Sequence, residues 1–342
     1  MNVGLDLGTH TLRALWREEG RLRARYCRST YAVLPDSELQ RRVLEQAGVR
    51  HARGEDCLVL IGDDAVQLSP LFHVPCLPLF PKGQLPRENP LARQIIAALV
   101  ERLLPVPDTT DSLCCFVHPG RWTEPRESEH QLRFCSRLIE MRGYAPLPMP
   151  AGMALAYSEL VDAAFTGLGM TLGAASCEIS LAHQGRELAS FSIPQAGDWI
   201  DEQFAQLGHN YCWDQSGRNS PNTAEAVVTK EGLRDSILRP TTWDAKLFAD
   251  LYREFLARLM NETARRMANL PPVLHEHPSF AVIFGGGSTR IPGFEELASQ
   301  FLQRTPLPIR VSGIRVSQSD YAVARGCLIN AELESQTRRA VA

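Results

Sequence analysis

Val3-Gly4-Leu5-Asp6-Leu7-Gly8-Thr9-His10-Thr11 joins a short apolar run to an Asp-x-Gly-Thr turn. That order of residue types can build a phosphate site without a Walker loop. Gly8 lets the backbone approach an anion, and the amides of Gly8, Thr9 and His10 can donate to phosphate oxygens. Asp6 at the strand end suits a hydrated magnesium ion, which takes few carboxylates and completes its shell with water and nucleotide oxygens. The same residues also make an ordinary hairpin turn, so the segment alone leaves both readings open. A second cluster, Gly285-Gly286-Gly287-Ser288, follows the β-branched and aromatic run of residues 279–284. Ligands of α/β folds bind at such carboxyl ends of strands. The alternative for this run is a flexible loop.

These turns need strands and helices to hold them. Strands are expected at 2–7, 11–17 and 21–27, with Glu18-Glu19-Gly20 turning into the third. Residues 58–65 read as a strand entering a short helix, and the proline-rich 70–90 as an extended surface loop. Pro90 opens a helix over 91–104. A strand at 112–118, a helix from Thr123 to about Arg142 closed by Gly143, a strand at 144–148 and a helix at 151–163 complete one β-α-β-α unit. The second half repeats this grammar. Residues 168–194 form three strands whose first turn, Gly173-Ala174-Ala175-Ser176, is again built from small residues. An internal duplication of this kind predicts two similar lobes, each offering one turn to the space between them. Further on, the pattern predicts a helix at 198–207, a loop at 216–221, one or two helices over 223–238 and a long helix over 242–269. A strand follows at 279–284, a helix from Phe294, a short strand at 309–311 and a final helix over 320–334.

Composition narrows the function classes. At 342 residues the chain can hold two lobes, and its net charge of −3 provides no bulk attraction to nucleic acid or acidic membranes. No apolar run approaches the roughly 18 residues of a membrane span, and no leader is evident, which predicts a cytoplasmic protein without an integral membrane segment. The nine cysteines form no CxxC pair and fit free thiols in a reducing compartment. His275-Glu276-His277 is read as a solvated loop, since no third metal ligand accompanies it. Lys82 is read as a surface lysine.

Phe284-Gly285-Gly286-Gly287-Ser288-Thr289-Arg290-Ile291-Pro292 resembles the adenosine motif of the seventy-kilodalton heat-shock chaperones. Asp6-Leu7-Gly8-Thr9 resembles the first phosphate motif of the superfamily that joins those chaperones to actin and the sugar kinases. Pro150 to Tyr157 and Asp320 to Gly326 resemble its two connecting helices, and Gly197-Asp198-Trp199-Ile200-Asp201 its segment after the second phosphate motif. The order holds over essentially the whole chain. Length and layout, with Ile61 to Ala65 and Thr223-Ala224-Glu225, resemble the rod-shape bacterial actins and their filament-forming relatives.

The resemblance implies an α/β, two-lobed actin-like ATPase fold, with duplicated ribonuclease-H-like domains around a nucleotide cleft. It places the first lobe at 1–165 and the second at 166–318, with a helix over 319–335 packing on the first. It implies ATP, with GTP possible, and Mg2+ on Asp6. Nucleotide contacts would come from Gly8, Thr9, His10, Thr11, Gly173, Ala174, Ala175, Ser176, Glu225, Gly285, Gly286, Gly287, Ser288 and Arg290.

Two departures weaken the catalysis that the resemblance implies. The family's Asp-x-Gly-Gly-Gly-Thr-x-Asp reads here as Thr171, Gly173, Ala174, Ala175, Ser176 and Glu178. The metal-holding Asp is thus Thr171, and two glycines are alanines, which crowd a phosphate and disfavour positive φ. Met149 stands where several branches carry a water-positioning Glu, and a thioether cannot orient or deprotonate water. The expected protein is therefore a nucleotide-gated conformational module with slow or impaired hydrolysis, acting through a protein partner. The alternatives are a cytoskeletal protein that self-associates into nucleotide-dependent filaments, and an active kinase or ATPase.

Overall fold

The computed structural model describes residues 1–120, 124–213, 217, 219–268, 270 and 279–341. The first lobe begins with β1 (Val3–Leu7), β2 (Thr11–Glu18), β3 (Arg21–Arg28) and β4 (Thr30–Pro35). Then come α1 (Glu38–Gln46), β5 (Ala52–Arg53), β6 (Cys57–Ile61), α2 (Asp63–Leu68), β7 (Leu77–Pro78) and α3 (Pro90–Leu103). The unit ends with β8 (Leu113–Val117), α4 (Pro125–Met141), β9 (Ala145–Pro148) and α5 (Ala151–Glu159). The second lobe holds β10 (Gly167–Leu172), β11 (Ser176–His183), β12 (Arg186–Pro194), α6 (Gly197–Leu207), β13 (Tyr211–Trp213), β14 (Asn219–Pro221) and α7 (Thr223–Gly232). The chain closes with α8 (Trp243–Met267), β15 (Phe280–Gly285), α9 (Phe294–Arg304), β16 (Val311–Val316) and α10 (Ala322–Val341), which returns to the first-lobe sheet.

The duplication read from the sequence appears as two five-stranded sheets of one topology, β3-β2-β1-β8-β9 and β12-β11-β10-β15-β16. In each, the first three strands form an antiparallel meander and the last two add in parallel. A four-stranded sheet, β5-β6-β4-β7, is inserted after the first meander. Each sheet buries one apolar face under its own helices, which gives each lobe its own core.

Between the sheets, α5 and α10 cross where side chains are too small to keep them apart. A Cβ on Gly326 would sit 1.7 Å from the Ala154 carbonyl oxygen. On the sheets, a Cβ at Gly4 would lie 2.0 Å from the Ala324 oxygen, and one at Gly169 2.0 Å from the Gly152 oxygen. Gly4 and Gly169 occupy matching places in β1 and β10, so α10 seats on one sheet and α5 on the other by the same device.

Several elements differ from the sequence reading. The 70–90 stretch is not merely a surface loop: Leu79 and Phe80 are fully buried and Leu85 nearly so, all within the first-lobe core. Proline content spoke for an irregular path but hid this anchoring. Asn219–Pro221, read as loop, pairs with β13, while Ser216 lies outside the described residues. Residues 233–238 are not helical, and α5 stops at Glu159. β16 is longer than expected because it borders β15, and β4 and α1 had no clear periodic signal. Thr123, Asn269 and the His275-Glu276-His277 segment also lie outside the described residues.

Candidate functional site

A cleft of about 730 Å³ opens where the turn of the β1–β2 hairpin meets the turn of the β10–β11 hairpin. The first turn presents Gly8, Thr9, His10 and Thr11, and the second Gly173, Ala174, Ala175 and Ser176. Gly286, Gly287, Ser288 and Arg290 come from the turn after β15, and Asp6 and Thr171 sit at the strand ends. Gly285, Glu225 and Met149 are not among the lining residues.

The glycines have separate duties. A Cβ on Gly8 would lie 2.6 Å from the Thr11 oxygen, so the closed hairpin itself demands glycine there. Gly286 has φ +104, and its Cβ would meet the Leu172 oxygen at 2.3 Å. A Cβ on Gly285 would lie 2.8 Å from Leu155 of α5, so this glycine serves packing between β15 and α5. A Cβ at Gly287 would meet only open space. In the second turn, neither Ala174 nor Ala175 has positive φ, so the alanines carry no strain of the kind their replacement of glycine suggested. That turn is braced to α6, since the Gly197 amide donates to the Gly173 oxygen (3.0 Å) and the Asp198 amide to the Ala174 oxygen (2.8 Å). Ser288 Oγ also donates to the Gly173 oxygen, 3.2 Å away, and the buried Tyr252 hydroxyl holds the Ser288 carbonyl at 2.9 Å.

The charges differ between the two hairpins. Asp6 stands opposite Arg13, with 3.9 Å between carboxylate and guanidinium. Enclosure raises the Asp6 pKa to about 6 against the downward pull of Arg13. At the matching place in the second hairpin, Thr171 stands opposite Glu178. The Thr171 hydroxyl donates to the Glu178 backbone oxygen (3.3 Å), and the Glu178 carboxylate accepts from the Ala151 amide (2.9 Å), capping the first turn of α5. Met149 is buried in the apolar cluster around α5. Neither degenerate position therefore offers a carboxylate to the cleft.

For a divalent cation the first turn supplies one carboxylate, Asp6. Among the described residues no three His, Cys, Asp or Glu side chains gather as a ligand group. Asp6 thus suits a magnesium ion that arrives with phosphate oxygens and water, and does not suit a resident ion.

Sequence reasoning missed several cleft residues. Arg13 could have been found by counting outward from the turn, because an antiparallel register that closes on residues 8–11 sets 13 against 6. On α7 the cleft-facing stripe is Val227, Lys230, Glu231 and, just beyond its end, Arg234. This helical spacing turns Glu225 away, where its carboxylate accepts from Asn222 (2.9 Å). Lys230 pairs with the buried Asp201 at 2.6 Å and so ties α7 to α6. Arg28 and His118 also line the cleft. Arg290 pairs with Asp320 (2.7 Å), the residue two before α10.

Two lobes of one topology, crossed by a pair of helices and sharing a cleft between matched hairpins, define an actin-like fold. The sequence model of the Volactin family matches residues 1–331, and the chain belongs to that family. Among solved structures it is similar to a MamK double helical filament (TM-score 0.68, 14% identity, 96% of this chain and 98% of that one). It is also similar to MreB5 of Spiroplasma citri bound to ADP (TM-score 0.66, 12% identity, 98% of each chain). A further match is the ethanolamine utilization protein EutJ from Carboxydothermus hydrogenoformans (TM-score 0.51, 15% identity, 96% and 88%). The chaperone protein HscA homolog of Aeromonas salmonicida (strain A449) is 32% identical over 141 residues, 40% of this chain. The chain thus spans about a fifth (21%) of that curated relative's length. No helix among the described residues is long and apolar enough to cross a membrane.

Proposed function

We propose that this chain binds a purine nucleoside triphosphate, ATP before GTP, in the cleft between its two hairpins, and that occupancy draws the lobes together. The convergence of three small-residue turns on one cleft carries this reading. In it, the amides of Gly8, Thr9 and His10 hold phosphate from one side and the Gly173–Ser176 turn from the other. Asp6 holds magnesium brought by the nucleotide, and the ion neutralises phosphate charge when bound. Gly286, Gly287, Ser288 and Arg290 border the nucleoside end, with the α7 stripe as the opposite wall. Glu225 and Gly285 have no direct part.

Hydrolysis is slow, because Thr171 and Met149 put no carboxylate at the two positions that would support the ion and direct a water. Phosphate release well below about 1 per second is expected, and a rate in the roughly 1–100 per second range of active phosphoryl-transfer enzymes would refute the impaired-enzyme claim. Thr171→Asp with Met149→Glu and Ala174→Gly should raise release about tenfold or more, with some loss of stability from the buried glutamate. An unchanged rate in a folded triple variant would refute the residue assignment.

A second reading, nucleotide-dependent filaments, is favoured by the likeness to a MamK filament and to MreB5. Sedimentation and negative-stain microscopy with and without ATP decide it. A protein that stays monomeric at tens of micromolar counts against filaments and leaves the conformational module acting on another protein partner. We place the protein in the cytoplasm, in keeping with nine free thiols, five of them buried.

A further inference from the structure

The Arg28 side chain links α2, which follows β6 of the four-stranded sheet, to the first turn of the cleft. Arg28 ends β3 immediately before this sheet begins. Its Nε donates to Asp63 (2.9 Å), the first residue of α2, and its Nη1 lies 3.2 Å from His10 Nε2 in the turn. A second tie is backbone only: the Ser29 amide donates to the His10 oxygen (3.0 Å), and the Gly62 amide to Thr30 (2.9 Å). A guanidinium has donors and no lone pair, so the facing His10 nitrogen must accept. An imidazole that accepts there is neutral, with its proton on Nδ1. The ring opens to the cleft yet is walled by protein, and that enclosure, followed by the Arg28 charge, lowers its pKa and so favours the neutral form.

A neutral imidazole is a weak partner for an arginine beside an anion-binding turn. A phosphate oxygen makes the stronger, charge-assisted bond. The two ends of the guanidinium are already divided, Nε on Asp63 and Nη1 at the turn. We infer that Arg28 reads the terminal phosphate of a bound nucleoside triphosphate: Nη1 exchanges His10 for a phosphate oxygen while Nε keeps Asp63, clamping α2 and the four-stranded sheet over the cleft. A diphosphate, lacking that group, leaves the clamp loose. Arg28 is thus a residue for triphosphate-over-diphosphate discrimination. This rests on the nucleotide reading of the cleft.

Hydrogen–deuterium exchange of the full chain tests it, with a non-hydrolysable ATP analogue or ADP, each with magnesium, and occupancy verified by calorimetry. Amides of residues 57–68 should exchange about threefold or more slowly with the triphosphate than with ADP. Arg28→Gln should abolish that difference and reduce the preference for triphosphate about tenfold. Asp63→Asn, which leaves the arginine in place, should abolish the exchange difference while the preference persists. An exchange difference that survives in either variant, or none in the wild-type protein at saturation with both ligands, overturns the inference. Failure of both nucleotides to bind overturns the cleft reading itself, a distinct result.

Discussion

The two hairpins that face each other across the cleft agree in their packing and disagree in their charge. Gly4 and Gly169 hold matching positions and each admits the backbone of a crossing helix. Gly8 and Gly173 hold matching positions in the turns. At the positions between, Asp6 opposes Arg13 in one hairpin, whereas Thr171 opposes Glu178 in the other. The duplicated feature is the architecture: one sheet topology and one way of seating a crossing helix. At this strand position only the first hairpin carries a carboxylate, the one proposed to hold the ion, and across from Thr171 the Glu178 carboxylate caps α5. On the proposed reading such a division retains gripping and gives up turnover, because grip needs backbone amides and shape while phosphoryl transfer needs placed charge.

The largest expected effect breaks the shared part. Gly4→Val and Gly169→Val each force a side chain into a helix carbonyl and should cost about 3 kcal/mol or more in denaturant unfolding. Loss of similar size from both would support the matched seating. A cost confined to one would show that the second helix contact is incidental.

Next is the part that differs. Asp6→Asn should weaken magnesium-dependent ATP binding about tenfold, roughly 1.4 kcal/mol, whereas Thr171→Val should change it less than about twofold. Titration of each variant with and without magnesium separates them, and equal losses would contradict the asymmetry.

The Asp6 pKa gives a smaller effect with a defined sign. Its folded value of about 6 lies above the ordinary 3.8, so the ligand-free fold retains this proton longer than the unfolded chain. The penalty on the fold is full above about pH 6 and is relieved as pH falls towards 3.8. Asp6→Asn should therefore stabilise the ligand-free protein at pH 7 by about 1 kcal/mol and lose that advantage in acid. Magnesium-dependent affinity, which needs the ionised carboxylate, should fall as pH drops through about 6. A Thr171 variant should show neither trend.

The smallest effect concerns the alanines. Since Ala174 does not adopt positive φ, Ala174→Gly alone should shift stability by less than about 1 kcal/mol and leave phosphate release unchanged. A large gain in rate from this change alone would mean that the methyl, and not the missing carboxylate, limits turnover.

Much of this arrangement was legible in the sequence, and the reasons are physical. Each meander declared itself by strand alternation around small-residue turns, and the repetition of that pattern announced two lobes. Asp6 and Gly8 were identifiable because a turn at a strand end exposes its residues whatever surrounds it. Gly4 and Gly169 were silent, since their need arises only when helices distant in sequence arrive against them. That Glu225 points away from the cleft lining was not legible, because motif wording gives no helical phase and the face of α7 is set by how it packs on α6. Arg28 joins elements whose pairing no local pattern specifies. Leu79 and Phe80 were hidden by prolines that signal an irregular path but not its burial.

Calorimetric titration of ATP with millimolar magnesium into the wild-type protein tests the central claim most directly. A saturable heat with one nucleotide per chain, reduced when magnesium is withheld, is the predicted result. Absence of any heat from a purine triphosphate would contradict it.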